Sequence, residues 1–142
     1  MMGSDAVINR KLPFLFIFML SGCAGFVPLQ PNPDEYERWS ASGASQVDVM
    51  KAMLECGYTT PFRIADRELN IYPSSNEVAL IVRCMEGSGF LYDGSSLNYC
   101  KDKGFRELPA CQLDAPVRRR ELSRRVNSPF CKKYTKADAC KP

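Results

Sequence analysis

Seven cysteines and no histidine define the side-chain chemistry open to this chain of 142 residues. Without imidazole, Ser-His-Asp and Cys-His nucleophilic arrangements are excluded, and no Ser-x-x-Lys spacing offers a lysine-assisted serine instead. Zinc sites use Cys and His at short spacings such as Cys-x-x-Cys. Here the nearest cysteines, Cys131 and Cys140, stand nine residues apart, which also leaves no Cys-x-x-Cys redox pair. Neither a dinucleotide-binding glycine motif nor a P-loop is present. No metal and no small-molecule cofactor is therefore expected. Paired Asp and Glu side chains could still support hydrolysis of the glycosidase type, but scattered acids at ordinary frequency read as solvated surface.

The amino terminus carries the most specific signal. Arg10 and Lys11 precede a wholly apolar run, Leu12 to Leu20, followed by Ser21, Gly22 and Cys23. A charged region, a short apolar stretch and small residues describe an export signal. Nine residues are too few to span a bilayer, which takes about 20 in a helix. Leu20-Ser21-Gly22-Cys23 resembles the lipobox of bacterial lipoproteins, a resemblance confined to roughly the first 25 residues. It implies cleavage after Gly22 and acylation of Cys23. One acyl chain holds a protein to a membrane only marginally; members of this family carry more than one. Ala24 stands where the family's inner-membrane retention signal would place Asp. In a Gram-negative host that implies an outer-membrane anchor, with the domain expected to face the periplasm.

Removing 22 residues leaves 120, enough for one small domain. Cores of this size are thin and often need covalent staples. With Cys23 assigned to lipid by the resemblance, Cys56, Cys84, Cys100, Cys111, Cys131 and Cys140 remain. An even set in an exported chain reads as a disulfide framework. The mature domain is similar in style to small cysteine-rich envelope lipoproteins.

The elements that would position these cysteines follow from caps and periodicity. Ala24 to Pro33, with Pro28, Pro31 and Pro33, reads as an extended tether. Ser45-Gln46-Val47-Asp48 fits a capping pattern, and Val47, Met50, Met53, Leu54 and Tyr58 recur at helical spacing. A helix is predicted over 46–56, ended by Gly57. Ser74 to Glu77 repeats the cap, with Val78, Ile81, Val82 and Met85 as the stripe of a second helix over 76–86, stopped by Gly87 and Gly89. The intervening loop holds Pro61 and Pro73 and a short extended piece, Leu69 to Tyr72. Trp39 reads as a packing anchor. A Cys56–Cys84 bridge is the favoured clamp between the helices. After the turn signal Asp93-Gly94, the pattern fades into two cysteine loops. Local closure would give Cys100–Cys111 and Cys131–Cys140, and crossed pairings remain open.

The expected fold class is mainly α: a small disulfide-stapled domain of two capped helices as a hairpin, with an irregular C-terminal cysteine-looped region. The expected organisation is a signal peptide over 1–22, a Pro-rich tether over 23–38, and the cysteine-rich domain with its basic segment over 39–142.

Charge divides the mature chain. From Pro116 onward nine Lys or Arg face two acids, net +7, whereas Cys23 to Ala115 carries net −5. One reading makes Arg118, Arg119, Arg120, Arg124 and Arg125 a binding surface for an anionic envelope partner. The other makes them a solvated face whose stems cover the core and whose heads pair with the acidic half. Nucleic acid fits the charge but not the compartment. The expected function is a non-enzymatic interaction or accessory module, held to the membrane by acyl chains on Cys23. Its partner would be an envelope protein or an anionic envelope glycan. Alternatives are a periplasmic inhibitor of a cell-wall hydrolase and a carboxylate-based hydrolase.

Overall fold

The computed structural model describes residues 31–68 and 70–142. The signal segment, Cys23 and the first part of the tether lie outside the described residues, as does Leu69 of the short extended piece. The unit from Pro33 to Pro142 is mainly helical and stapled by three disulfides. No described helix is long and apolar enough to cross a membrane.

The compact unit starts at Pro33. A one-turn helix, α1 (Glu35–Arg38), starts at Asp34, whose N–H donates to the Glu37 carboxylate at 2.9 Å. It is fixed to the later loop through backbone bonds, Glu35 N–H to the Phe62 carbonyl (2.9 Å) and Tyr36 N–H to that of Pro61 (3.0 Å). Four residues are too few for a helix to hold itself, so these cross-links keep Asp34 to Arg38 with the domain. Strand β1 (Trp39–Ser40) follows directly.

Helix α2 (Gln46–Cys56) opens on a reciprocal capping box. The Ser45 hydroxyl accepts from the Asp48 N–H, and the Asp48 carboxylate accepts from the Ser45 N–H at 2.9 Å. Gly57 ends it in a left-handed conformation, φ +116°, which a residue without Cβ adopts freely. Helix α3 (Ser75–Gly87) is capped by Ser74, which accepts from the Glu77 N–H at 3.2 Å. Here the Glu77 carboxylate is turned to Arg118 instead of back to the cap.

Strand β2 (Leu91–Tyr92) pairs antiparallel with β1, Trp39 opposite Tyr92 and Ser40 opposite Leu91. Positive φ at Asp93 and Gly94 folds the chain back so that Tyr92 and Ser95 exchange backbone hydrogen bonds. Two further short helices, α4 (Leu122–Val126) and α5 (Pro129–Lys133), close the fold.

The core has two parts, and α2 serves both. The larger gathers Trp39, Val49, Met53, Tyr58, Ile81, Val82, Met85 and Phe90; the smaller joins Leu54 to Phe130, Cys131 and Ala139. Because α2 is covered on two sides, Val49, Ala52 and Cys56 are buried alongside Met53 and Leu54. Val47 and Met50, placed on the expected stripe, are only partly covered. Both Met53 and Met85 are wholly enclosed, as flexible gap-fillers in a thin core can be. The Trp39 indole N–H donates to the Tyr58 hydroxyl at 3.0 Å, and that hydroxyl donates to Glu35 at 3.2 Å. A buried indole is thereby satisfied at both its apolar and its polar end.

Candidate functional site

The six described cysteines pair as neighbours in sequence. Cys56–Cys84 joins the last residue of α2 to the last turn of α3 with Cα atoms 5.6 Å apart, and both cysteines are fully buried. Cys100–Cys111 and Cys131–Cys140 each close a local loop, separations 11 and 9, and no bridge crosses between them.

The basic segment lies across the C-terminal end of α2. This end needs cations: a helix leaves its last carbonyls unpaired and carries a partial negative charge there, and α2 has no basic residue in its own last turn. The later chain supplies them. An Arg124 Nη donates to the Glu55 carbonyl at 2.8 Å, and an Arg118 Nη to that of Cys56 at 3.2 Å.

The same arginines find carboxylates. Arg118 makes a two-pronged pair with Glu77, its second contact at 3.0 Å. Arg120 Nε meets Glu55 Oε2 at 2.7 Å, and Arg125 Nε lies 3.3 Å from Glu55 Oε1. Arg124 also reaches Glu121 at 2.9 Å. Glu55 and Arg125 are well shielded, with side-chain exposures of 12% and 5%. Their contact is one of charge and not of an aligned hydrogen bond, since Arg125 Nε has no hydrogen-bond partner; its Nη1 donates to the Ala139 carbonyl at 3.4 Å.

Of the five arginines nominated from sequence, four are thus engaged within the fold. Arg119 is exposed, and its guanidinium has no partner among the described residues; its carbonyl accepts from Arg124 at 2.7 Å. A cleft of about 630 Å³ runs between this stretch and the end of α3, lined by Val117, Arg118, Arg119, Arg120 and Ser88, with no carboxylate in its wall. A second cleft, about 370 Å³, is lined by Glu77, Arg118 and Arg124 together with Thr59, whose hydroxyl is buried without a hydrogen-bond partner. Chemically, the first can accept an anion and the second presents mixed charge. Among the described residues no three His, Cys, Asp or Glu side chains gather as a metal site.

A third group was not nominated from sequence. Tyr36, Phe62, Phe130 and Tyr134 form a run of ring contacts, with centroids 6.0, 5.7 and 5.1 Å apart in order. Phe130 is buried, whereas Phe62 and Tyr134 are 38% and 48% exposed. The four rings are scattered over a hundred positions with no shared periodicity, so only the folded chain brings them together.

No family model, no characterised protein and no solved structure matches the chain.

Proposed function

We propose that the chain is a lipid-anchored envelope protein, tethered through an acylated Cys23, acting as a non-enzymatic interaction or accessory module. The observation that carries this reading is the cysteine pairing. Six of the seven cysteines are joined to one another, so Cys23 alone is left for other chemistry. Three bridges also suit an oxidising compartment outside the cytosol. The lipobox resemblance supplies the chemistry for the remaining thiol, and Ala24 points to the outer membrane, with the domain facing the periplasm.

In this reading the two capped helices, α2 and α3, serve as a clamped hairpin on which the rest is built. The anion-facing element is the stretch Val117 to Arg120, whose cleft is lined by three arginines and no acid. Arg118 and Arg120 are paired with Glu77 and Glu55, and Arg119 is exposed. An acidic envelope protein or glycan is the partner class that fits. The rivals have less support. Glu55 and Glu77, the carboxylates drawn into the basic segment, are occupied by arginines; that leaves them ill suited as an acidic key for a basic hydrolase or as a catalytic pair.

The test is co-sedimentation of the mature protein with peptidoglycan sacculi at low salt, comparing the native chain with Arg119→Ala. Binding reduced about tenfold by the substitution, and abolished by salt as screening requires, is the expected result. Unchanged binding by the variant would remove the anionic partner from this surface.

A further inference from the structure

The aromatic run ends at a cleft of about 120 Å³, walled by Phe62 and Tyr134 and floored by Phe130. Its rim is balanced in charge, Arg63 and Lys133 against Asp66 and Glu68. The Lys133 ammonium lies 5.3 Å from the Tyr134 ring. Tyr134 presents an apolar ring with a polar hydroxyl, the combination enriched at the headgroup layer of a bilayer, and Phe62 adds exposed apolar surface on the same cleft.

Its place in the fold adds a second argument. Phe62 is bonded directly to the start of the domain: its carbonyl accepts from Glu35 N–H, and its ring packs on Tyr36. The chain therefore enters the domain beside this cleft. Ten residues, Ala24 to Pro33, separate the domain from Cys23, and ten residues span at most about 36 Å.

Resting on the acylation of Cys23 argued above, we propose that the Phe62–Tyr134 cleft is the face the domain lays on the bilayer surface. The acyl chains supply the affinity, and the rings fix orientation, a second membrane signal added to the first. Because the rim carries as many acids as bases, the contact does not depend on anionic lipid and resists salt. This separates it from any contact made by Val117 to Arg120.

The experiment uses the lipidated mature chain reconstituted into vesicles of phosphatidylethanolamine and phosphatidylglycerol, with and without bromine on the acyl chains. Tyr134→Trp, and separately Phe62→Trp, place a fluorophore in the cleft. Leu113→Trp places one at the most exposed apolar position, and the buried Trp39 gives the same background in all three. Brominated lipid is expected to quench the cleft reporters at least about twofold more than the Leu113→Trp reporter, and equally at low and high salt. Equal quenching at all sites, quenching lost in high salt, or none at either cleft reporter in chains that float with the vesicles overturns the proposal alone. A mature chain recovered from cells without acyl chains overturns the anchor, and the proposal with it.

Discussion

Glu55 and Arg125 face each other at 3.3 Å inside the domain, joining the last turn of α2 to α4 where little solvent reaches either side chain. The same carboxylate holds Arg120 on its outer side at 2.7 Å. Removing one member of a shielded pair strands the other, at a cost of about 3–5 kcal/mol. Glu55→Ala is therefore expected to lower unfolding stability by about 3 kcal/mol in urea titration. Arg120→Ala, whose side chain is 38% exposed, should cost less than about 1 kcal/mol. Equal, small effects from both substitutions would show that Glu55 does not organise the segment.

Gly57 is a second point of convergence. Its φ of +116° disfavours any side chain, and a Cβ built there would sit 2.7 Å from an Arg118 Nη. Gly57→Ala is expected to cost about 1–2 kcal/mol from the left-handed backbone alone. It should also push Arg118 from the Cys56 carbonyl, which amide exchange at the end of α2 would report. A variant as stable as the native chain would place the helix end elsewhere.

The three bridges should differ in worth. Loop closure makes longer loops more stabilising, about 3.5 kcal/mol for a separation of 28 residues and about 2.5–3 kcal/mol for 11 or 9. Cys56 and Cys84 are also fully buried between the two principal helices. Paired substitution to alanine at Cys56 and Cys84 should thus reduce stability most, and melting curves of the three double variants check the order. Greatest damage from the Cys131 and Cys140 pair would move the weight of the fold to its C-terminal loop.

Alkaline pH should unfold the domain through the buried Tyr58 and the half-buried Tyr92. Burial pushes the Tyr58 hydroxyl well above the usual tyrosine value, with the nearby Glu35 charge adding to the effect. Burial and Glu35 likewise raise Tyr92 to about 12. For a group whose pKa is higher folded than unfolded, the stability it confers is complete below the unfolded value of about 10 and is lost as pH rises toward the folded one. Urea midpoints are expected to be insensitive to these two groups up to about pH 10 and to fall above it. Tyr58→Phe should flatten that fall. A native chain that shows no extra loss above pH 10 would contradict the placement of Tyr58.

What could be read from the sequence was what local chemistry decides. Ser45, Asp48 and Gly57 announce the ends of α2, and Ser74 the start of α3, because caps are satisfied by residues three or four positions away. The breadth of the α2 core face was not legible. Val49 and Ala52 lie off the expected stripe and are buried in the larger core with Trp39, Tyr58 and the α3 residues Ile81 and Val82, partners distant in the chain. The pairing of Trp39 with Tyr92 depends on contact with a residue far along the chain. The arginine run was legible as charge but not as structure: identical residue types at 118, 119 and 120 have different fates. Two meet carboxylates from α2 and α3, and Arg119 meets none among the described residues. The aromatic cleft was invisible for the same reason, since Phe62 and Tyr134, 72 positions apart in the sequence, each pack on Phe130.

The anchor at Cys23 is the claim on which localisation, the tether and the bilayer face all depend. Intact-mass measurement of the mature protein extracted from membranes tests it most directly. The expected species starts at Cys23, carries acyl chains on that residue, and is six hydrogens lighter than the fully reduced chain because all later cysteines are bridged. A mature protein with an unmodified Cys23, or one that retains residues 1–22, would contradict it.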